Sequence, residues 1–405
     1  MQLLASTNIL YEVLFACFLY ATYIAHWQLT IGTSRRRMIA KQECKPIDKT
    51  DEWGFLNDSI FGWRSVTERA AAARSHKLLS WAQKRHRRYG NTLTTRYLTT
   101  DLISTIEPEN VKAILATNFE DWALPDRRKN AFDPLMGSGI FTTDGPAWRH
   151  SRQLLRPNFD RSQVGNLEMQ ETHVEHLIEA IPKDGSTIDL QPLFFRLTLD
   201  SATEMLFGES TDSLLYNHAS TKPRQDDFAE CYDRALGQIA KASIHGPLLA
   251  LFFRGSGWKA DVKVVHGLVD RYVQNGFATH ESHGKGGETS QSEDRYIFLK
   301  ELIKSNIDPV RIRSELMNIL VAGRDTTASL LSSTWFVLAR RPDIWTKLRT
   351  EVDELDGKLP TLEQVRELKY LKAVINECES SRGINDILAL LTCSYSVTTL
   401  STRAG

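Results

Sequence analysis

The spacing of apolar and polar residues changes period along this chain. Residues 9–25 (ILYEVLFACFLYATYIA) are apolar apart from Glu12 and Thr22. With Trp27, Leu29 and Ile31 the run approaches the ~20 residues that cross a bilayer. No Lys or Arg precedes Arg35-Arg36-Arg37, so the positive-inside rule predicts one spanning helix with the body of the protein in the cytosol. A cleaved signal peptide would need a basic start and a small-residue cleavage site, and neither is evident. An interfacial helix would need a polar face. Glu12, near the end of the run, can snorkel towards the interface. The sequon Asn57-Asp58-Ser59 stays unmodified on the cytosolic side.

Beyond the anchor, residues 41–64 read as irregular. Thr67 to Tyr89 reads as a basic, Ala-rich helix stopped by Gly90. Alternation predicts strands over Thr92–Tyr97 and Asp101–Ile106. Pro108 opens a helix through Thr117, at a position where its missing N–H costs nothing. The pattern is then almost entirely helical, over about 145–156, 162–181, 189–207, 225–242, 259–282, 296–305, 309–341, 342–355 and 361–378. Residues 281–295 form a polar, Gly/Ser-rich break whose glycine spacing does not make a phosphate loop. The fold class is mainly α with a small β region.

One of these helices breaks its own pattern. Asp308-Pro309 makes a good start, and Arg340-Arg341 before Pro342 a good stop, giving a helix of roughly 50 Å. The periodicity predicts a buried stripe of Ile312, Leu316, Ile319, Gly323, Thr326/Thr327, Leu330, Thr334 and Leu338. At its centre, Ala322-Gly323-Arg324-Asp325-Thr326-Thr327 puts small, acidic and hydroxyl residues where Leu or Ile would pack best. Gly costs about 1 kcal/mol there, and adjacent β-branched threonines do not help. A rule broken in mid-core points to a functional site. Gly323 lets a flat ligand approach, a Thr hydroxyl bonded to a backbone carbonyl loosens the turn, and an Asp–Thr pair relays protons. A tolerated polar patch against a neighbouring loop explains the residues equally well.

Composition narrows the possible functions. The 405 residues are 41% hydrophobic and 25% charged, which excludes a disordered, collagen-like or polytopic membrane chain. Fifty basic residues balance fifty acidic ones, so no nucleic-acid partner is expected. Five scattered cysteines make no disulfide framework. His173/His176 and His280/His283 lack a neighbouring acidic–His motif and read as solvated surface rather than zinc ligands. The run Lys84-Arg85-His86-Arg87-Arg88 reads as a solvated face, available to anionic lipid or a reductase.

A second segment bears on the long helix. In Gly145-Pro146-Ala147-Trp148-Arg149-His150-Ser151-Arg152, Trp148 and Arg152 share a helical face. An indole N–H and a guanidinium can clamp a carboxylate, whereas an exposed Arg stacked on a Trp is the commoner arrangement. Together the two segments resemble the cytochrome P-450 family of haem-thiolate monooxygenases. Residues 322–327 match that family's [AG]-G-x-[DE]-T-T oxygen-activation motif, and Trp148 to Arg152 its W-x-x-x-R motif. Leu338 to Val352 and Pro360 to Glu377 look like the helices that follow. Gly139-Ile140-Phe141-Thr142-Thr143-Asp144-Gly145 and Cys44-Lys45-Pro46 are similar to the fungal alkane and fatty-acid hydroxylase branch.

The resemblance implies a P-450 fold, incomplete at the C-terminus, divided into an anchor (1–34), a P-450 domain (35–378) and an aberrant tail (379–405). It implies a haem monooxygenase that hydroxylates a small apolar substrate (an alkyl chain, fatty acid or specialised metabolite). Electrons would come from NADPH through NADPH–cytochrome P-450 reductase, at the endoplasmic reticulum membrane. Asp325 and Thr326 would relay protons to dioxygen, Trp148 and Arg152 would bind the haem propionates, and Ala322 and Gly323 would border the oxygen side. The likeness stops near Cys378. Asn376-Glu377 begins the family's N-E-x-x-R, but Ser380 stands where Arg belongs. Glu379-Ser380-Ser381-Arg382 comes two residues late, about 200° round a helix. No F-x-x-G-x-R-x-C-x-G loop follows, and neither Cys393 nor Cys378 has the setting of a haem ligand, so no metal ligand is assigned. The tail reads as a frame change or retained intron. The alternative expectation is therefore a catalytically dead remnant that does not stably bind haem.

Overall fold

In the computed structural model, residues 62–75, 77–97, 100–159, 167–215, 228–245, 257–283, 298–305 and 307–381 are described, with 48–49 and parts of 15–41. Most of the apolar run 9–25 lies outside them, as does the tail from residue 382. Among the described residues no helix is long and apolar enough to cross a membrane.

Near the start come α1 (Thr33–Lys41), α2 (Trp63–Arg74) and α3 (Leu78–Tyr89). The single helix expected over 67–89 is thus two. Ser75 Oγ donates to the Ala71 carbonyl at 2.9 Å, so a hydroxyl competes for backbone bonds where the first helix ends. A three-stranded sheet lies beside them. β2 (Thr92–Tyr97) pairs antiparallel with β3 (Thr100–Thr105) and parallel with a two-residue β1 (Asp48–Lys49) inside the segment expected to be irregular.

Short α4 (Pro108–Lys112) leads to α5 (Asp126–Met136), a helix the pattern did not predict. Its start is polar and Pro134 lies inside it, yet Leu135 and Met136 are fully buried against the central core, which outweighs poor propensity. Then follow α6 (Gly145–Leu155), α7 (Leu167–Ala180), α8 (Leu190–Phe207), α9 (Phe228–His245), α10 (Trp258–His283) and α11 (Phe298–Lys304). The long helix is α12 (Pro309–Leu338), followed by α13 (Pro342–Asp353), α14 (Leu362–Glu367) and α15 (Lys369–Ser381).

α12 starts as expected, with the Asp308 carboxylate accepting the Arg311 N–H at 3.2 Å. It stops three residues early. Arg341 precedes Pro342, whose ring disfavours helical backbone before it, and Arg341 lies at φ −127°, ψ 76°. The helix expected over 361–378 is also two. The Glu351 carboxylate on α13 accepts the N–H groups of Tyr370 and Leu371, both at 2.8 Å, and so caps α15 from outside.

The main core gathers Leu135, Leu155, Leu199, Tyr232, Val265, Phe298, Ile312, Leu316 and Leu320, so α12 is its axis and α8 lies along it. A smaller cluster around Phe194 and Ala328 covers the next stretch of α12, and a third joins Leu338, Leu348, Val374 and Cys378.

Candidate functional site

The centre of α12 has two unlike sides. Thr326 Oγ1 donates to the Ala322 carbonyl at 2.6 Å, the back-bond expected of a mid-helix threonine, but the helix continues unbroken to Leu338. Gly323 and Thr327 are exposed, and Ala322 and Thr326 half-buried. A Cβ added at Gly323 would meet only the Ala202 Cβ, at 3.9 Å. The expected stripe therefore holds at Ile312, Leu316 and Leu338 and fails in the middle. There the buried positions are Asn318, Val321, Arg324 and Ala328, and Gly323 faces outward. Gly323 and Thr327 thus give a small-residue opening on the helix surface.

The buried side carries Arg324, which sequence reasoning passed over. Its side chain is 2% exposed and pairs with Asp233 of α9 at 2.6 Å and with Asp325 at 3.0 Å. Its guanidinium carbon lies 4.9 Å from the Phe195 ring centre and 5.1 Å from that of Tyr232. Burial pushes the Asp325 carboxyl above its usual range. Arg324 opposes that shift, and Asp233 adds to it by repulsion. Burial works against the Arg324 charge, but Asp233 and Asp325 outweigh it and hold the guanidinium protonated. Burial also raises the Tyr232 phenol well above its usual value, with the charge of Asp325 next in effect. The sequence carries no signal for this role, because the helical period gives only relative angles and Gly323, not Arg324, falls on the expected stripe.

Trp148 and Arg152 stand on α6, with the Arg152 guanidinium 5.6 Å from the Trp148 ring centre. Trp148 also packs on Phe119 at 4.9 Å. Both aromatic rings line a cavity of about 350 Å³ with Trp122, Ile140, Phe141 and Arg149. Arg152 is exposed and has no carboxylate partner among the described residues, whereas Arg149 bonds Glu120 at 2.7 Å.

Three hydrogen bonds join this wall to α12. Arg311 donates to Ser151 Oγ at 2.5 Å while pairing with buried Glu315 at 2.8 Å. The glycine-rich loop before α6 is bonded along α12, with the Ile140 N–H on Glu315 at 3.3 Å and the Phe141 N–H on Asn318 at 2.9 Å. Gly139 is needed because a Cβ there would sit 2.3 Å from Asn318 Nδ2. Sequence reasoning singled out this loop but not Glu315 or Asn318, two polar residues on the buried face of a helix.

Other expectations need correcting. His173 is buried, not solvated, with Nε2 2.5 Å from Glu204. In the basic run His86 is buried, taking the Gly90 carbonyl at 3.1 Å and Ser104 Oγ at 3.0 Å, and Arg85 donates to Thr95 at 2.6 Å. Only Lys84, Arg87 and Arg88 keep to a solvated face. No group of three His, Cys, Asp or Glu residues suited to a metal ion occurs among the described residues. Cys231 is buried beside Arg234, and Cys378 is enclosed with Leu338, Leu348 and Val374.

A family model described as "Cytochrome P450" matches residues 67–378. The chain is 41% identical over 358 residues to "Cytochrome P450 monooxygenase himC" of Aspergillus japonicus, covering 87% of this chain and 63% of that protein. It is 37% identical over 374 residues to "Cytochrome P450 monooxygenase fsdH" of Fusarium heterosporum, covering 88% and 64%. With "Cytochrome P450 52A5" of Candida maltosa it shares 43% identity over 294 residues, 69% and 54% of the two chains. The chain thus spans less than two thirds of the length of these relatives. With a family model matched across both the loop-to-α6 wall and the whole of α12, the chain belongs to the cytochrome P450 family.

Proposed function

We propose that this chain is a haem-dependent monooxygenase that hydroxylates a small apolar substrate with O2 and NADPH-derived electrons supplied by NADPH–cytochrome P-450 reductase. The observation that carries the reading is on α12, where the open surface at Gly323 adjoins the Thr326 hydroxyl and, one residue further round, the half-buried Asp325. The residues present fit a flat group edged with carboxylates: Gly323 leaves room for its face, and Arg152 is a cation without a carboxylate partner among the described residues. Haem, when bound, supplies the oxidising chemistry. Trp148 and Arg152 would hold its propionates, and Ala322 and Gly323 would border it. Thr326 can turn its hydroxyl from the Ala322 carbonyl to donate a proton, and Asp325, whose carboxyl burial pushes above its usual range, replenishes it.

The same reading divides the chain into an anchor (1–34), a P450 domain (35–378) and a tail (379–405), held at the endoplasmic reticulum membrane. In support, Phe15, Phe18, Leu19, Tyr20 and Tyr23 are helical and at least half exposed. Thr22 Oγ1 turns back to the Leu19 carbonyl at 2.8 Å, as a hydroxyl facing lipid does. Exposed Arg87 and Arg88 offer charge to the reductase.

The test is Thr326→Ala, with NADPH consumption and peroxide release measured beside hydroxylated product. The expected result is electron flow uncoupled from product, and unchanged coupling removes Thr326 from proton delivery. A second reading, a chain without haem-thiolate activity, draws on the enclosure of Cys231 and Cys378 away from the Gly323 surface. The carbon-monoxide difference spectrum of the reduced protein separates the two, since a thiolate-type Soret band at full stoichiometry defeats the second.

A further inference from the structure

We propose that Arg324 is a positioning residue: by sharing one guanidinium nitrogen between Asp233 on α9 and Asp325 on α12, it aims the Asp325 carboxylate and connects it to the solvent-exposed surface of α9. The proposal rests on the reading of Asp325 as a proton-delivering group.

The geometry is unusual for neighbouring residues. Positions i and i+1 of a helix point about 100° apart and do not ordinarily face each other. Here Arg324 Nη1 nevertheless reaches Asp325 at 3.0 Å while bonding Asp233 more closely, at 2.6 Å. The guanidinium has little freedom to leave, since Phe195 of α8 and Tyr232 of α9 lie within about 5 Å of it. Arginine keeps its proton in proteins, so Arg324 cannot be a member of a proton chain, and its effect on Asp325 is one of charge and direction.

The partners differ in exposure. The Arg324 side chain is 2% exposed, Asp325 17% and Asp233 57%. Asp233 is therefore the outer end of a charge triad whose inner end lies beside Thr326. It draws on the same nitrogen as Asp325 and repels it directly, and both effects favour protonated Asp325. Removing the Asp233 charge leaves Arg324 wholly to Asp325 and favours the carboxylate. Removing the Arg324 charge favours the acid. Among the described residues, the charged or titratable groups facing Asp325 are Arg324 on its own helix and Asp233 and Tyr232 on α9.

The experiment follows the protonated-carboxyl infrared band of the folded full chain against pH, with the band assigned by its loss in Asp325→Asn. In Asp233→Asn half-protonation is expected to need about tenfold more protons, a shift of about one pH unit downward. In Arg324→Gln the shift is of similar size and opposite direction, and adding Asp233→Asn to it moves the band by less than the same substitution does with Arg324 present, since only the direct repulsion is left to remove. Asp233 is exposed, so its variant folds and decides the matter even if Arg324→Gln does not fold. An unmoved band in Asp233→Asn, or equal shifts from that substitution with and without Arg324, overturns the proposal. If the band moves as expected while Asp325→Asn leaves NADPH oxidation coupled to product, the positioning role stands and the proton-delivery reading fails. If Asp325→Asn uncouples and the band does not respond to Asp233, the positioning role alone falls.

Discussion

The backbone N–H of Phe141 donates to Asn318 Oδ1 at 2.9 Å across 177 residues of sequence. The same side chain donates to the Met136 carbonyl at 3.0 Å and to the Ser314 carbonyl at 2.7 Å. One fully buried amide thus holds both ends of the glycine-rich loop on α12. Asn318→Ala leaves a buried donor and acceptor unmet, and the expected loss is about 2–3 kcal/mol of stability. Urea unfolding at constant m-value measures it, and a change below about 0.5 kcal/mol contradicts this account.

Glycines in two settings should respond oppositely to alanine. A Cβ at Gly139 would lie 2.3 Å and 2.5 Å from Asn318 Nδ2 and Cγ, and Asn318 is held by its own hydrogen bonds. Gly139→Ala should cost about 1–3 kcal/mol. Gly237 and Gly267 lie inside α9 and α10, with open space where a Cβ would go. Alanine at either should stabilise by about 0.5–1 kcal/mol. Thermal midpoints of the three variants test this, and a loss at Gly237 or Gly267 counts against it.

His266 on α10 supplies a pH prediction. Its Nε2 lies 2.7 Å from the Leu135 carbonyl and donates to it. Burial lowers its pKa below the ordinary 6.5, with the Leu135 bond opposing. The unfolded chain therefore takes up this proton at a higher pH than the folded one. The stability that His266 contributes is fully present above about pH 6.5 and is lost as pH falls from there towards the lowered value. His266→Gln can keep the bond without titrating, so its unfolding midpoint should depend less on pH between about 7 and 5. An identical pH dependence in the two proteins excludes His266 as the cause.

The proposed propionate site gives a comparison of two arginines on one helix. Arg152→Ala removes a cation with no carboxylate partner among the described residues and should weaken haem retention about tenfold. Arg149→Ala breaks only the exposed pair with Glu120, worth about 0–1 kcal/mol, and should leave retention within about twofold. Haem titration followed by absorbance tests this, and equal losses deny Arg152 a special role.

Residues 9–25 give the last prediction. Membranes carrying the full chain, washed with alkaline carbonate, should retain it in the pellet. Release into the supernatant refutes the spanning segment while leaving the rest of the proposal intact.

The pattern of the chain already determined a mainly helical protein with a small sheet, because apolar periods of 3.6 and 2 follow from backbone geometry alone. It placed the start of α12 at Asp308-Pro309, since capping is a local matter, and it picked out Gly323 and Thr326 because they pack poorly in a core. What it misjudged depended on contacts between distant segments. Helix α5 forms despite Pro134 because Leu135 and Met136 meet the core. The break before α15 is made by Glu351 from another helix. Gly323 turned out to face outward because the facing helices α8 and α9, with Phe195, Tyr232 and Asp233, take the Arg324 side of α12. A helical stripe gives only relative angles, and which side is buried is decided by the partner that packs on it. The charge triad could not be read from the motif for the same reason: Arg324 occupies its variable position, and only the fold brings Asp233 to it.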